Sequence, residues 1–158
     1  MPKPELPDTG FLAGFSIAIL AGAVGGSLIV KRFGSKGKPP VLGDIEALMP
    51  RNGAETACTA LLALNAGVSE ELFFRLLLPL LLIGLFENAT LSFGVAAVVF
   101  GLVHIYQGHA GVIATTILGL VFSVLYLWTQ NPWIAAAAHV FLDLFGLVIR
   151  PTLLRMVK

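Results

Sequence analysis

Charged side chains are almost absent from a long central part of this sequence. Between Thr56 and Ile149 the only charged residues are Glu70, Glu71, Arg75, Glu87 and Asp143. A charge at bilayer depth is costly, so chains keep one there only when it is paired, hydrated or used. The 158 residues are 57% hydrophobic, with a mean hydropathy of +0.91. A soluble domain of this size could not bury so much apolar surface, so the sequence predicts an integral membrane protein.

Apolar segments long enough to cross a bilayer recur along the chain. They predict an all-α, polytopic membrane helix bundle with about five transmembrane helices, in one domain over residues 1–158. The five segments are Phe11–Val30, Glu55–Phe86, Leu91–Tyr106, Gly111–Trp128 and Trp133–Ile149.

The second of these segments is too long for a simple crossing. As a single helix it measures about 48 Å, against a bilayer core of about 30 Å. We therefore expect it either to tilt strongly or to break near Gly67. In the broken form Ser69 would cap a second helix, with Glu70 and Glu71 in its first turn.

Eight of the ten basic residues lie in the connector 31–51 and in the C-terminal segment 150–158. Positive-inside reasoning with five crossings places the N-terminus outside and the C-terminus in the cytoplasm. The net charge of +1 and the lack of a basic patch argue against nucleic acid as a partner. The single cysteine, Cys58, excludes an intrachain disulfide and is expected to be a small buried hydrophobe.

The segment ahead of the first span contains Leu6-Pro7-Asp8-Thr9-Gly10, followed by Phe11–Val30 and Lys31-Arg32. This order resembles the sorting signal that sortases cleave. Because Pro and Gly are also common turn residues before a span, coincidence is the favoured interpretation. The alternative is that the protein belongs to a system that processes such tails.

Glu70, Glu71 and Arg75 stand together in an apolar run. Residues four apart lie on one helix face, so Glu71 and Arg75 should form an ion pair that makes the arginine tolerable in a membrane. Glu70 points about 140° away from Arg75 at 3.6 residues per turn and is left unpaired. A free, desolvated carboxylate suits a general base.

Two histidines fall in other apolar segments. His104 follows Phe100 by four residues, and Asp143 follows His139 by four. His139 and Asp143 can therefore face a common cavity, or Asp143 can fix the tautomer of His139. A lone histidine in an apolar helix is more often structural, but three such elements on three helices indicate a buried site.

The order Glu-Glu-x-x-x-Arg, Phe-x-x-x-His, His-x-x-x-Asp resembles the CAAX-protease and bacteriocin-processing family of intramembrane endopeptidases, also called the Abi family. Residues 68–147 carry the resemblance and would form the catalytic core. Two positions depart from the family pattern: Leu76 stands where bacterial members often have Gly, and Asp143 where many have Asn. The resemblance implies a protease in a bacterial or archaeal cell membrane that cuts a membrane-associated protein or peptide.

By this resemblance Glu70 activates the attacking water, and His104 and His139 complete the site. The candidate catalytic residues are Glu70, Glu71, Arg75, His104, His139 and Asp143. The favoured hypothesis requires no cofactor. The alternative is a zinc ion held by Glu70, His104 and His139, with a fourth position left for water.

Two other classes of protein compete with the protease. One is an inactive bacteriocin-immunity or partner-binding protein that keeps the same scaffold, against which the intact motif residues argue. The other is a small proton-coupled transporter that uses the buried acids and histidines as a relay. A transporter should show an inverted repeat, and the sequence has none.

Overall fold

The computed structural model describes residues 45–156, which are helical and contain no strand. The all-α prediction is therefore confirmed for this part of the chain. The described helices are α1 (Gly53–Glu71), a π-helical stretch (Leu72–Leu77), α2 (Leu78–Phe86), α3 (Ala89–Val103), a 3-10 turn (Ile105–Gln107), α4 (Gly108–Thr129), α5 (Pro132–Asp143), a second π-helical stretch (Leu144–Ile149) and α6 (Arg150–Met156), preceded by a 3-10 turn (Glu46–Leu48).

Residues 53–86 form one uninterrupted helix, because α1 passes through the π-helical stretch into α2 with helical backbone angles at both junctions. Of the two alternatives expected from the length of this segment, the break near Gly67 is therefore wrong. The Ser69 hydroxyl donates to the Asn65 carbonyl within the helix at 2.7 Å and caps nothing. Glu70 and Glu71 lie in the last turn of α1 rather than in a first turn.

The capping residue of α1 is Asn52, whose side chain accepts a hydrogen bond from the Glu55 amide at 2.9 Å. Gly67 has a packing role instead of a breaking one. A Cβ atom at this position would collide with the backbone and side chain of Val140 on α5. The glycine thus lets α1 and α5 approach closely.

Two helices among the described residues are long and apolar enough to cross a membrane. They are Ile105–Thr129 and Pro132–Leu153, with mean hydropathies of 2.2 and 1.8, and the apolar helix Ala89–Val103 is shorter. The expected first span, Phe11–Val30, and the sorting-type segment before it lie outside the described residues. The count of about five transmembrane helices is not confirmed.

The interior of the described bundle lies where α3 packs on α4. Phe100, Phe122 and Leu125 are among its fully buried side chains. Because Gly119 has no side chain, the Phe100 ring can pack closely against α4. Gly101 faces Thr116 in the same interface. Cys58 is exposed on α1, so its predicted burial is wrong.

Candidate active site

The Glu71–Arg75 pair lies at the centre of the described bundle. The two side chains are 0% and 1% exposed, and Glu71 Oε2 is 2.9 Å from Arg75 Nε. The pair bridges the junction between α1 and the π-helical stretch, a helix irregularity that often occurs at functional sites. The two atoms do not have the geometry of a hydrogen bond, but at this distance the two charges form an ion pair.

Arg75, the last residue of the Glu-Glu-x-x-x-Arg motif, also contacts α4. Its Nη2 donates to the Gly119 carbonyl at 3.3 Å. Its guanidinium carbon lies 4.8 Å from the centre of the Phe100 ring and 5.4 Å from that of Phe122. Cation–π contacts of this kind strengthen in desolvated surroundings, which helps to stabilise a buried cation.

His139 on α5 contacts the other oxygen of Glu71. Its Nδ1 lies 2.8 Å from Glu71 Oε1, and its ring stacks on Phe122 with centroids 5.1 Å apart. The second ring nitrogen, Nε2, faces Glu70 Oε2 at 3.9 Å and Asp143 Oδ2 at 3.6 Å. Glu71 is therefore within hydrogen-bond distance of the His139 ring, whereas Asp143 Oδ2 lies just beyond that distance from Nε2.

His104 ends helix α3 and presents its ring to the same place. Its Nδ1 lies 2.7 Å from the Phe100 carbonyl, and its ring centroid is 4.8 Å from that of Phe100. Its Nε2 is 3.9 Å from Glu70 Oε2. The structure thus brings Glu70, His104 and His139 together from three helices.

The hydrogen-bond partners determine which ring nitrogens carry protons. A backbone carbonyl can only accept, so Nδ1 of His104 is the donor there. Glu71 is an ion-paired carboxylate, so Nδ1 of His139 donates to it. In the neutral form of each ring, Nε2 is then an acceptor that lies 3.9 Å from Glu70 Oε2. Glu70 Oε2 and the two Nε2 atoms are then three neighbouring hydrogen-bond acceptors.

The two acids of this cluster are more exposed than its two histidines. Glu70 and Asp143 are 30% and 31% exposed, whereas both histidines are largely enclosed. A substrate can therefore reach Glu70 and Asp143, while Glu71 and Arg75 lie behind them. This division separates groups that can touch a substrate from groups that can only support the site.

Glu70, His104 and His139 are donors of the kind that zinc binds. Ligand atoms at about 2.1 Å from one zinc ion are roughly 3.4 Å apart in tetrahedral geometry, and the two Glu70–histidine distances are both 3.9 Å. Residues 45–156 contain no group of three or more His, Cys, Asp or Glu side chains arranged to hold a metal ion. As arranged, the two distances exceed the tetrahedral spacing by about 0.5 Å, so Glu70, His104 and His139 would have to move closer together to bind one zinc ion.

Sequence patterns missed three parts of the site. They indicated the local Glu71–Arg75 pair but not the contact of Glu71 with His139, which joins residues 68 positions apart. They also missed Phe122 and the Gly119 carbonyl. A glycine and an aromatic residue in an apolar helix have no local signal that distinguishes them from ordinary packing residues.

The family model for type II CAAX prenyl endopeptidase, Rce1-like, matches residues 52–145. That range covers more than half of the chain and includes every candidate site residue. The chain belongs to this family. The resemblance to CAAX proteases is thereby confirmed, and the protein is an integral membrane protein and a hydrolase of the protease class. No curated protein and no solved structure matches the chain.

Proposed function

We propose that this CAAX protease family member is an intramembrane endopeptidase in which Glu70 activates the attacking water. The observation that carries the proposal is the position of Glu70 Oε2, 3.9 Å from Nε2 of both His104 and His139. This distance is too long for a direct hydrogen bond and suits one bridging water, whose bonds measure about 2.8–3.0 Å each.

The protonation of the histidines orients such a water. Glu70 and a neutral Nε2 are both acceptors, so the water directs one proton to Glu70 and the other to a histidine. An oxygen lone pair then points away from these groups, toward the open side of the site. This is the direction from which a peptide carbonyl can approach.

Proton and bond changes follow from this arrangement. As the water oxygen bonds to the carbonyl carbon, Glu70 takes one of its protons. The tetrahedral intermediate collapses when the C–N bond breaks, and Glu70 returns the proton to the departing amine. Asp143, close to His139 Nε2 at 3.6 Å, is proposed to hold its own proton and donate to the developing oxyanion.

Glu71 and Arg75 support this chemistry without touching the substrate. Both are buried, and the Glu71 carboxylate holds the Nδ1 side of His139. A carboxylate behind an imidazole keeps the ring in one orientation and stabilises any positive charge it gains. Of the six candidate residues, Glu71 and Arg75 are therefore proposed to position the others and not to react with the substrate.

The proposed substrate is the tail of a membrane-associated protein. The printed name of the family refers to CAAX prenyl endopeptidases, so a peptide with a prenylated cysteine three residues before its C-terminus is the first probe. An unprenylated peptide of the same sequence, anchored by an apolar helix, is the second. Cleavage of one and not the other would identify the type of tail.

The membrane arrangement is part of the proposal. We propose five spans, with the N-terminus outside and the C-terminus in the cytoplasm of a bacterial or archaeal cell membrane. The basic segments 31–51 and 150–158 would then share the cytoplasmic side. Reporter fusions at residues 40, 88 and 131 test this, and a cytoplasmic signal at residue 88 would contradict it, since five spans place that loop outside.

The decisive experiment replaces Glu70 by Gln. The purified Glu70→Gln protein should keep its thermal stability and lose cleavage of the probe peptide, because Glu70 Oε2 is 3.9 Å from each histidine and the change breaks no direct hydrogen bond to them. Glu87→Gln is the matched control, since Glu87 is exposed in the turn after α2. Near-wild-type turnover by Glu70→Gln would contradict the mechanism, and stable loss of turnover would also argue against an inactive scaffold.

A further inference from the structure

Tyr106 lies beside His104 but belongs to none of the three motifs. Its ring centroid is 5.8 Å from that of His104, with the planes inclined by 32°. Tyr106 is 57% exposed, so its side chain borders the site from outside. The ring is thus accessible to a peptide that binds next to His104.

The turn that carries Tyr106 holds its hydroxyl in place. Gln107 donates from Nε2 to the Tyr106 hydroxyl at 3.1 Å. A phenolic hydroxyl that accepts one hydrogen bond still has its own O–H to donate. The Gln107 amide thus orients the hydroxyl and leaves its proton available to another acceptor.

Two glycines make this turn feasible. Gly108 has a φ of +73°, a backbone conformation that L side chains rarely adopt, and it reverses the chain between the 3-10 turn and α4. Gly111 leaves room for Gln107, because a Cβ atom at Gly111 would collide with the Gln107 side chain. A side chain at Gly111 would therefore displace Gln107.

We propose that Tyr106 is a substrate-binding residue at the mouth of the site, and that Gln107 positions its hydroxyl. The hydroxyl donates to a backbone carbonyl of the substrate one or two residues from the scissile bond, since extended residues advance by roughly 3.5 Å each. A contact with backbone contributes affinity for a peptide chain whatever its side chains. The inference rests on the proposed endopeptidase function.

The first test removes only the hydroxyl. Tyr106→Phe should raise the KM for the prenylated probe peptide about three- to tenfold, as expected for loss of one neutral hydrogen bond, with kcat nearly unchanged. Tyr126→Phe is the matched control, since Tyr126 lies on α4 and packs against Phe93 of α3, and this variant should keep the wild-type KM. An unchanged KM in Tyr106→Phe would overturn the proposal.

The second test asks whether Gln107 acts through Tyr106. Gln107→Met keeps the side-chain length and removes the amide, so it should raise KM by a smaller factor. In the Tyr106→Phe background it should add nothing, because the hydroxyl it orients is gone. Multiplying effects in the double variant would overturn the positioning role of Gln107.

A third test separates substrate binding from membrane anchoring, because tyrosines are also enriched where helices meet the membrane surface. Tyr106→Trp preserves an interfacial anchor, removes the hydroxyl and moves the side-chain donor to the indole N–H. A raised KM at unchanged thermal stability supports substrate binding, whereas a wild-type KM in this variant overturns it.

Binding measured without turnover keeps the two proposals distinguishable. The Kd of the same probe is measured with the Glu70→Gln protein, with and without Tyr106→Phe. Weaker binding on loss of the hydroxyl supports the inference even if wild-type protein fails to cleave the probe, a result that would overturn the proposed function alone. Equal binding would overturn the inference.

Discussion

Glu71 Oε1 and His139 Nδ1 lie 2.8 Å apart, a buried contact between residues that are 68 positions apart in the chain. Through its other oxygen, Glu71 pairs with Arg75 at 2.9 Å. One carboxylate therefore joins the first and third motifs. The four-residue spacing predicts Glu71 as the partner of Arg75, and the structure shows that Glu71 also contacts His139.

Glu71→Gln should cost both stability and activity. The change leaves Arg75 as an uncompensated buried cation, and breaking a buried pair typically costs about 3–5 kcal/mol. It also replaces the carboxylate behind His139 with a neutral amide. Thermal unfolding in detergent and cleavage of the probe should both decline, and full stability would show that the pair contributes little.

Arg75→Gln should destabilise by the same reasoning, because it strands the Glu71 carboxylate. The double variant Glu71→Gln/Arg75→Gln removes both charges and should unfold at a higher temperature than either single variant. If the double variant lost as much unfolding free energy as the two single variants together, the two side chains would act independently. Glu87→Gln serves as the control for loss of an exposed carboxylate.

Asp143→Asn tests whether that residue donates to the oxyanion. An amide donates at every pH, so the variant should keep or exceed wild-type kcat across the pH–rate profile. If Asp143 instead acts as an ionised carboxylate toward His139, the variant should lose activity at every pH. Loss of activity at every pH would show that Asp143 does not donate to the oxyanion.

Metal removal separates the two mechanisms that the sequence leaves open. In the metal-free mechanism, overnight treatment with a zinc chelator should leave probe cleavage unchanged. A loss that added zinc restores, together with about one zinc per chain by elemental analysis, would instead assign the metal to Glu70, His104 and His139.

Gly101→Ala tests the packing of α3 on α4. The added Cβ would collide with Thr116 and lie 2.9 Å from the Val112 carbonyl, and overpacking of this kind costs about 1–3 kcal/mol. Gly94→Ala on the same helix meets open space and should stabilise by up to about 1 kcal/mol through helix propensity. Equal melting temperatures for the two variants would contradict this account of the interface.

Much of the local structure could be predicted from the sequence because it depends on neighbours in the chain. Apolar composition predicted helices in a membrane, and the four-residue spacing predicted the Glu71–Arg75 pair. Asn88 and Asn131 cap the helices that follow them, a position that asparagine favours. These features rest on hydrogen bonds and side-chain contacts within about one helical turn.

Tertiary packing decided the rest. Gly67 is a helix breaker by propensity, yet α1 runs through it because the helix packs against Val140 there, and packing routinely overrides a propensity cost of about 1 kcal/mol. The contacts of Glu71 with His139 and of Arg75 with the Gly119 carbonyl depend on how three helices cross. Helical periodicity alone determines which face a residue occupies, whereas only the assembled bundle determines which faces meet.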